Sequence, residues 1–312
     1  MKFTKTVLAV AALSLLAVGA TQAQEKKPLI ALVTKSLANE FHQTLLNGAI
    51  ADQKARAAEY DLIANGIKNE GDVSGQIQLV EQMIVNKVDA LVLAPADSKA
   101  LIPVVGKAID AGILVINIDN ELDADVLKSK NIHLPFVGPN NRKGAEIAGD
   151  YLASKLQKGD KVAIIEGIPT AFNAQQRTLG FQDSIKKAGL DLVSLQSGQW
   201  EIDKANTIAS ALMIEHQDLK AIMCGNDSMA IGTVAAVKSA GKTGQVLVIG
   251  FDNLEAVQPM LQDDRLLATV EQYGAKLGVF GIDVALKAIK DKTPQDKIEA
   301  QIETPVDLAI KK

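Results

Sequence analysis

The stretch "AIMCGNDSMAIG", residues 221–232, reads as a buried strand until Gly225, Asn226 and Asp227 interrupt it, and a helical pattern resumes at Met229. Similar residues recur where other apolar runs end: "TKSLANEFH" after the first run, "PADS" after "LVLA", "DNE" after "INI", "GIPTAFN" after "AIIE", "DN" after "VIGF" and "EQYG" after "LLATV". Asn, Asp and Ser favour helix N-caps and turns, where their oxygens accept from free backbone N–H groups. Capping accounts for Ser98, for Asp227 or Ser228, and for Asn253. It does not account for Asp119, Asn226 and Asp252, each standing directly at the end of an apolar run. Carboxylates and amides converging on one crevice suit a neutral ligand rich in hydroxyls, because each planar group bridges two adjacent O–H groups.

Aromatic residues make up only 4% of the chain, so their placement carries information. Trp200, in "SGQWEIDKA", follows a strand and precedes a helix, while Phe41 and Phe172 fall in other loops. A ring there can pack against the C–H face of a sugar, although Phe41 and Phe172 read equally well as core.

Catalytic patterns are scarce. "GKT" at 241–243 lacks the upstream glycine of a phosphate-binding loop, since position 236 is alanine, and neither G-x-S-x-G nor G-x-G-x-x-G occurs. His42, His133 and His216 stand alone, without the spacing of a metal site, so no metal or cofactor is expected. His42 falls in a candidate ligand loop. Glycoside hydrolysis needs two carboxylates on opposite sides of one bond, which keeps Asp119, Asp252 and Glu271 open as an acid–base set and a hydrolase open as the rival class.

Side chains so far apart in sequence meet only if the strands that carry them lie side by side. Apolar runs recur as "LIALV" at 29, "DALVLA" at 89, "ILVINI" at 113, "KVAIIE" at 161, "LKAIMC" at 219 and "QVLVIG" at 245, each a strand buried on both faces. Between them lie helical spacings, such as Ile77, Val80, Met83 and Ile84, or Ala205, Ile208 and Leu212. Strands alternating with helices imply right-handed crossovers and parallel sheets covered on both sides, an α/β chain. Ligands of such sheets bind beyond the carboxyl ends of the strands. Two series appear, about 29–118 and 161–270, separated by the polar stretch "VGPNNRKG", so two lobes are expected.

The first 23 residues read as an export signal: Lys2 and Lys5 precede "VLAVAALSLLAVGA", and "TQA" supplies a small-residue cleavage site. Their removal takes the formal charge from −4 to −6, and no basic patch compensates, so no nucleic-acid partner is expected. Cys224 has no partner within the chain and reads as buried filler. No cysteine follows the signal to take a lipid anchor, which points to a free periplasmic protein.

Six motifs in order carry a resemblance: "IALVTKSLANEFHQTLLNGA", "VINIDNE", "VAIIEGIPTAFNAQQRTLGF", "CGNDSMAIG", "VIGFDN" and "ATVEQ". From about residue 28 to the C-terminus the chain resembles the periplasmic sugar-binding proteins of the ribose and allose type. The resemblance implies two doubly wound parallel-sheet lobes joined by a three-crossing hinge, with a ligand cleft between them. The N-terminal lobe would comprise 24–139 plus 273–303 and the C-terminal lobe 140–272 plus 304–312. Crossings would fall near 138–141, 272–274 and 302–305. A monomer without catalytic activity would close on a monosaccharide or polyol and deliver it to an ABC-type permease, sometimes also to a chemoreceptor. A receptor for a small furanosyl signal would share the fold and the compartment. Lys35, Asn39, Phe41 and Asp119 would form one half of the pocket, and Arg177, Trp200, Asn226, Asp252 and Gln272 the other half and the hinge. Trp200 would stack on the ligand, Asn226 would supply a ligand amide, and Asp227 or Ser228 would begin the helix. His42 replaces a second aromatic common in relatives, and Asn120 replaces an arginine of ribose-type members, so both are expected at the ligand and ribose itself is not.

Overall fold

A computed structural model of the chain describes residues 26–312, so the export segment assigned to residues 1–23 lies outside the described residues. The chain begins with β1 (Leu29–Ser36), α1 (Glu40–Ala55), β2 (Asp61–Ile67), α2 (Val73–Val85), β3 (Ala90–Leu93), α3 (Ile102–Asp110), β4 (Leu114–Ile118), α4 (Ala124–Ser129) and β5 (Phe136–Pro139). It continues through α5 (Asn141–Ala153), β6 (Lys161–Glu166), α6 (Phe172–Ala188), β7 (Asp191–Ser197), α7 (Ile202–Glu215), β8 (Leu219–Cys224), α8 (Asp227–Ser239), β9 (Leu247–Ile249), α9 (Gln258–Gln262) and β10 (Thr269–Glu271). Then come α10 (Gly274–Asp291), β11 (Gln301–Thr304) and β12 (Asp307–Ala309).

Two parallel sheets result. One has the order β11-β5-β4-β3-β1-β2 and the other β7-β6-β8-β9. In each the strand order reverses beside the first strand, the doubly wound pattern in which helices cover both faces. Ile30, Leu32, Val92 and Ile116 face one layer of helices and Ala31, Val33, Leu91 and Val115 the other. The second sheet is built alike, with Ala163, Ile165 and Ile222 on one side and Val162, Ile164 and Met223 on the other. Such strands must be apolar along most of their length, which is why the continuous runs mark them. β2 escapes that reading: it is an edge strand, half-exposed along "DLIANGI". Cys224, at the end of β8, is fully buried.

The chain passes from the first sheet to the second between β5 and α5, returns between β10 and α10, and leaves again between β11 and β12. β11 pairs with β5, while β12 pairs antiparallel with β10. The helix that returns, α10, packs Leu277, Ile282 and Ala285 beneath the first sheet and lies against α1. The two helices approach so closely at Gly48 that a Cβ there would overlap the Ala275 carbonyl. Among the described residues no helix is long and apolar enough to cross a membrane.

Candidate functional site

The carboxyl ends of the strands in both sheets face one another across a narrow polar cleft. Lys35, Asn39, Phe41, His42 and Asp119 line it from the first sheet, and Arg177, Trp200, Asn226, Asp252 and Gln272 from the second sheet and its link to α10. Asp119, Trp200 and Asp252 are held at positive φ, 61°, 68° and 119°. Non-glycine residues avoid that region, so surrounding structure must impose it, and here it turns each chain segment out of its strand at the cleft. Trp200 lies over Gly167 so closely that any Cβ at Gly167 would occupy the indole.

Charge is arranged in pairs. Arg177 packs its guanidinium 3.6 Å from the centre of the Phe251 ring, donates from Nε to Asn141 at 2.8 Å and from Nη1 to the Gly225 carbonyl at 2.9 Å, and lies 3.4 Å from Asp252 Oδ1. Gln272 Nε2 donates to the same Asp252 oxygen at 2.6 Å. Burial pushes the Asp252 carboxyl up to about 7 against the pull of Arg177. Asp227, fully buried behind it, is raised as well, by burial and by Asp252. Its carboxylate accepts from Thr269 Oγ1 and Leu254 N–H and so ties α8 to the start of β10 and to the loop after β9. Asp119 goes the other way: burial would raise it, but Lys35 and Arg177 hold it below the usual carboxylate range. Lys35 Nζ sits 2.9 Å from Asp119 Oδ2, a fully buried ion pair.

Glu70 Oε2, Asn173 Oδ1 and Gln272 Oε1 are buried without a hydrogen-bond partner, and all three residues line the cavity. Buried polar atoms in folded proteins are almost always paired, so a cluster of unpaired acceptors in one cavity marks a site built for donors. Among the described residues no group of His, Cys, Asp and Glu side chains is placed to hold a metal.

Four expectations change. Asn120 does not line the cavity: its Nδ2 donates to the Pro95 carbonyl at 2.9 Å and its Oδ1 accepts from Asn173 N–H at 3.1 Å. With Asp119 turned inward at positive φ, the next side chain points along the cleft wall instead. The α8 cap is Asn226 itself, not Asp227 or Ser228: its Oδ1 accepts from Met229 N–H at 2.9 Å, leaving Nδ2 toward the cavity. Nor does Ser98 cap its own helix; Asp97 accepts from Lys99 and Ala100, and Ser98 Oγ accepts from Phe172 N–H of the opposite lobe at 2.9 Å. Glu271 lies outside the cavity, accepting from Asn253 Nδ2 and Tyr273 N–H.

Two cavity residues, Glu70 and Asn173, escape sequence reasoning. Glu70 follows β2, the strand that carries no continuous apolar run. Asn173 closes the strand-end stretch "GIPTAFN", where only its neighbour Phe172 stood out by type, and falls in the first turn of α6.

Comparison with known proteins decides what this architecture belongs to. The model of a periplasmic binding protein domain matches residues 30–293, most of the chain. The chain belongs to that family. A D-ribose/D-allose-binding protein of Pseudomonas aeruginosa is 59% identical over 283 residues, 91% of this chain and 89% of that protein. A solute-binding protein of an ABC transporter from Burkholderia multivorans superposes with a TM-score of 0.89 at 62% identity, over 91% of this chain and 99% of that one; its unknown ligand was built as α-D-erythrofuranose. A homologous solute-binding protein from Actinobacillus succinogenes, with bound D-allose, is 32% identical at a TM-score of 0.86, over 91% of this chain and 98% of that one. Proteins of this family serve transport by binding substrate, and the two-lobed α/β architecture is theirs.

Proposed function

We propose that this chain is the periplasmic substrate-binding component of an ABC sugar importer, taking up a monosaccharide or polyol by lobe closure and handing it to the permease. The observation that carries it is the set of three unpaired buried acceptors in a cavity that also offers Lys35, Arg177 and Asn226 as donors. A molecule dense in hydroxyls donates to the first set and accepts from the second, whereas an apolar or anionic ligand leaves the acceptors orphaned. Trp200 supplies the flat face for C–H groups. Names of relatives agree in class, D-ribose/D-allose for one and D-allose for another.

On this reading residues 24–139 plus 273–303 and residues 140–272 plus 304–312 are the moving lobes, the protein acts as a monomer, and Lys35, Asn39, Phe41, His42, Asp119, Arg177, Trp200, Asn226, Asp252 and Gln272 contact the ligand. The role needs no catalytic step, because closure itself is what a permease selects.

The test is a thermal-shift screen of unfolded-and-refolded protein against pentoses, hexoses, ketoses, sugar alcohols and small furanosyl compounds. A ligand at about a thousand times its Kd stabilises by roughly 4 kcal/mol. A large shift from one sugar or polyol, with a change in Trp200 fluorescence, is expected. No shift across the panel from refolded protein overturns the proposal.

A further inference from the structure

Beside the cation–carboxylate pairs the cavity has a corner of a different kind. Thr34, fully buried on β1, has its hydroxyl 2.9 Å from His42 Nδ1. A buried hydroxyl needs somewhere to donate, and among the described residues Nδ1 is the acceptor it reaches. That assigns the tautomer: Nδ1 accepts, and Nε2 carries the proton. The ring is fixed further by its edge-to-face contact with Phe41, centroids 5.2 Å apart at 80°. Burial, with Lys35 nearby, lowers its pKa to about 3, so the imidazole stays neutral.

Opposite stands Glu70, 5% exposed. Its Oε1 accepts from Asn39 Nδ2 at 2.8 Å, while Oε2 has no partner. His42 Nε2 comes no closer than 3.9 Å to Glu70 Oε1, too far for a hydrogen bond. The corner therefore presents one fixed N–H donor and one fixed acceptor, side by side and unsatisfied by each other. A ligand hydroxyl serves both through a single atom, its oxygen accepting and its hydrogen donating. A ring oxygen, a hydrogen or a methyl group at that place leaves at least one of them unpaired.

We propose that His42 and Glu70 act as a donor–acceptor pair that reads one hydroxyl of the bound sugar or polyol and makes the cavity selective for ligands carrying it. The inference rests on the sugar-binding reading of the site and assigns specificity within it. Asn39, which caps α1 through Oδ1 and holds Glu70 through Nδ2, is a positioning residue for the pair.

The experiment titrates the best natural ligand and each of its monodeoxy isomers into wild type, Glu70→Gln and His42→Gln by calorimetry, after thermal unfolding has shown the ligand-free variants folded. Glu70→Gln is expected to bind the parent ligand about ten- to a hundredfold more weakly, the size of one lost hydrogen bond to a charged group, and His42→Gln about three- to tenfold more weakly, the size of one between neutral groups. One deoxy isomer is weakened in wild type but loses little more in either variant, because its partner hydroxyl is already gone. The other isomers lose affinity further in both variants. Parent affinity unchanged in both variants, or substitutions that weaken every deoxy isomer alike, overturns the pair. A crystal structure of the wild-type complex needs no variant. It should show a ligand oxygen within ~3.2 Å of both Nε2 and a Glu70 oxygen. A water or an apolar ligand edge there overturns the proposal while leaving the sugar-binding reading intact. Wild type that binds no panel member overturns both.

Discussion

At the scale of single residues the cavity separates its titratable groups by environment. Lys35 and Arg177 keep Asp119 ionised, burial raises the Asp252 carboxyl, burial raises Glu70 against the opposing pull of Lys35 and Asn39, and burial keeps His42 uncharged. The His42 shift has a measurable sign. Its folded pKa of about 3 lies below the ordinary 6.5, so below pH 6.5 the unfolded chain takes up a proton that the folded protein refuses. Stability from this residue is complete above pH 6.5 and is lost as pH falls toward 3. The slope approaches about 1.4 kcal/mol per pH unit. Asp252 works in the opposite sense, since its raised pKa makes stability fall as pH rises from its ordinary value toward 7. Comparing wild type with His42→Gln cancels that contribution. Denaturant unfolding of the two proteins at pH 7.5, 6 and 5 should show wild type losing stability relative to the variant on acidification. Parallel profiles would mean His42 takes up protons freely in the folded state.

At the scale of elements, the loops after the strands do two jobs with the same residues. Asn39 and Asn226 cap α1 and α8 through Oδ1 and leave Nδ2 for Glu70 and for the cavity. An amide suits this because its two ends have opposite polarity. The packing of α10 on α1 returns the chain to the first lobe and so sets where the second crossing lies. Gly48→Ala puts a methyl group into the Ala275 carbonyl and must push the helices apart. Overpacking of this kind costs about 1–3 kcal/mol. The expected outcome is a lower denaturant midpoint with an unchanged slope; an unchanged midpoint would mean that α10 shifts without cost.

At the scale of the whole molecule, the lobes complete each other. α6 begins at Phe172 without a side-chain cap from its own segment. Its first free N–H groups, on Phe172 and Asn173, donate across the cleft to Ser98 Oγ and Asn120 Oδ1, which are themselves 3.3 Å apart. Helix N-termini carry unsatisfied donors, so closure supplies from the first lobe what α6 lacks in the second. Leu254, from the loop after β9, likewise joins the apolar cluster around Phe41 and Leu45. Closed-state contacts of this kind raise ligand affinity without touching ligand. Asn120→Ala should therefore weaken binding by about 3–10-fold, the size of one ordinary hydrogen bond, without altering the order of preference among ligands. Calorimetry checks the first part and competition titration the second. A changed preference order would return Asn120 to the ligand.

Continuous apolar runs and helical spacings determine the alternating α/β chain by themselves, because strands buried on both faces are apolar along most of their length. The placement of Asp119, Asn226 and Asp252 at strand ends likewise points to a cleft that binds hydroxyls, because parallel sheets direct those ends to one side. Tertiary structure alone decided which neighbours share the cavity. Asp119 faces inward and Asn120 sideways through a single positive φ, and no spacing encodes that turn. Glu70 reaches the cavity from an edge strand whose half-exposed pattern gives no apolar signal, and Asn173 from the first turn of a helix capped by the other lobe. Residue types and periodicity are local properties, so the sequence carries them openly; side-chain direction at a strand end and pairing across the cleft arise only when the two sheets are packed face to face.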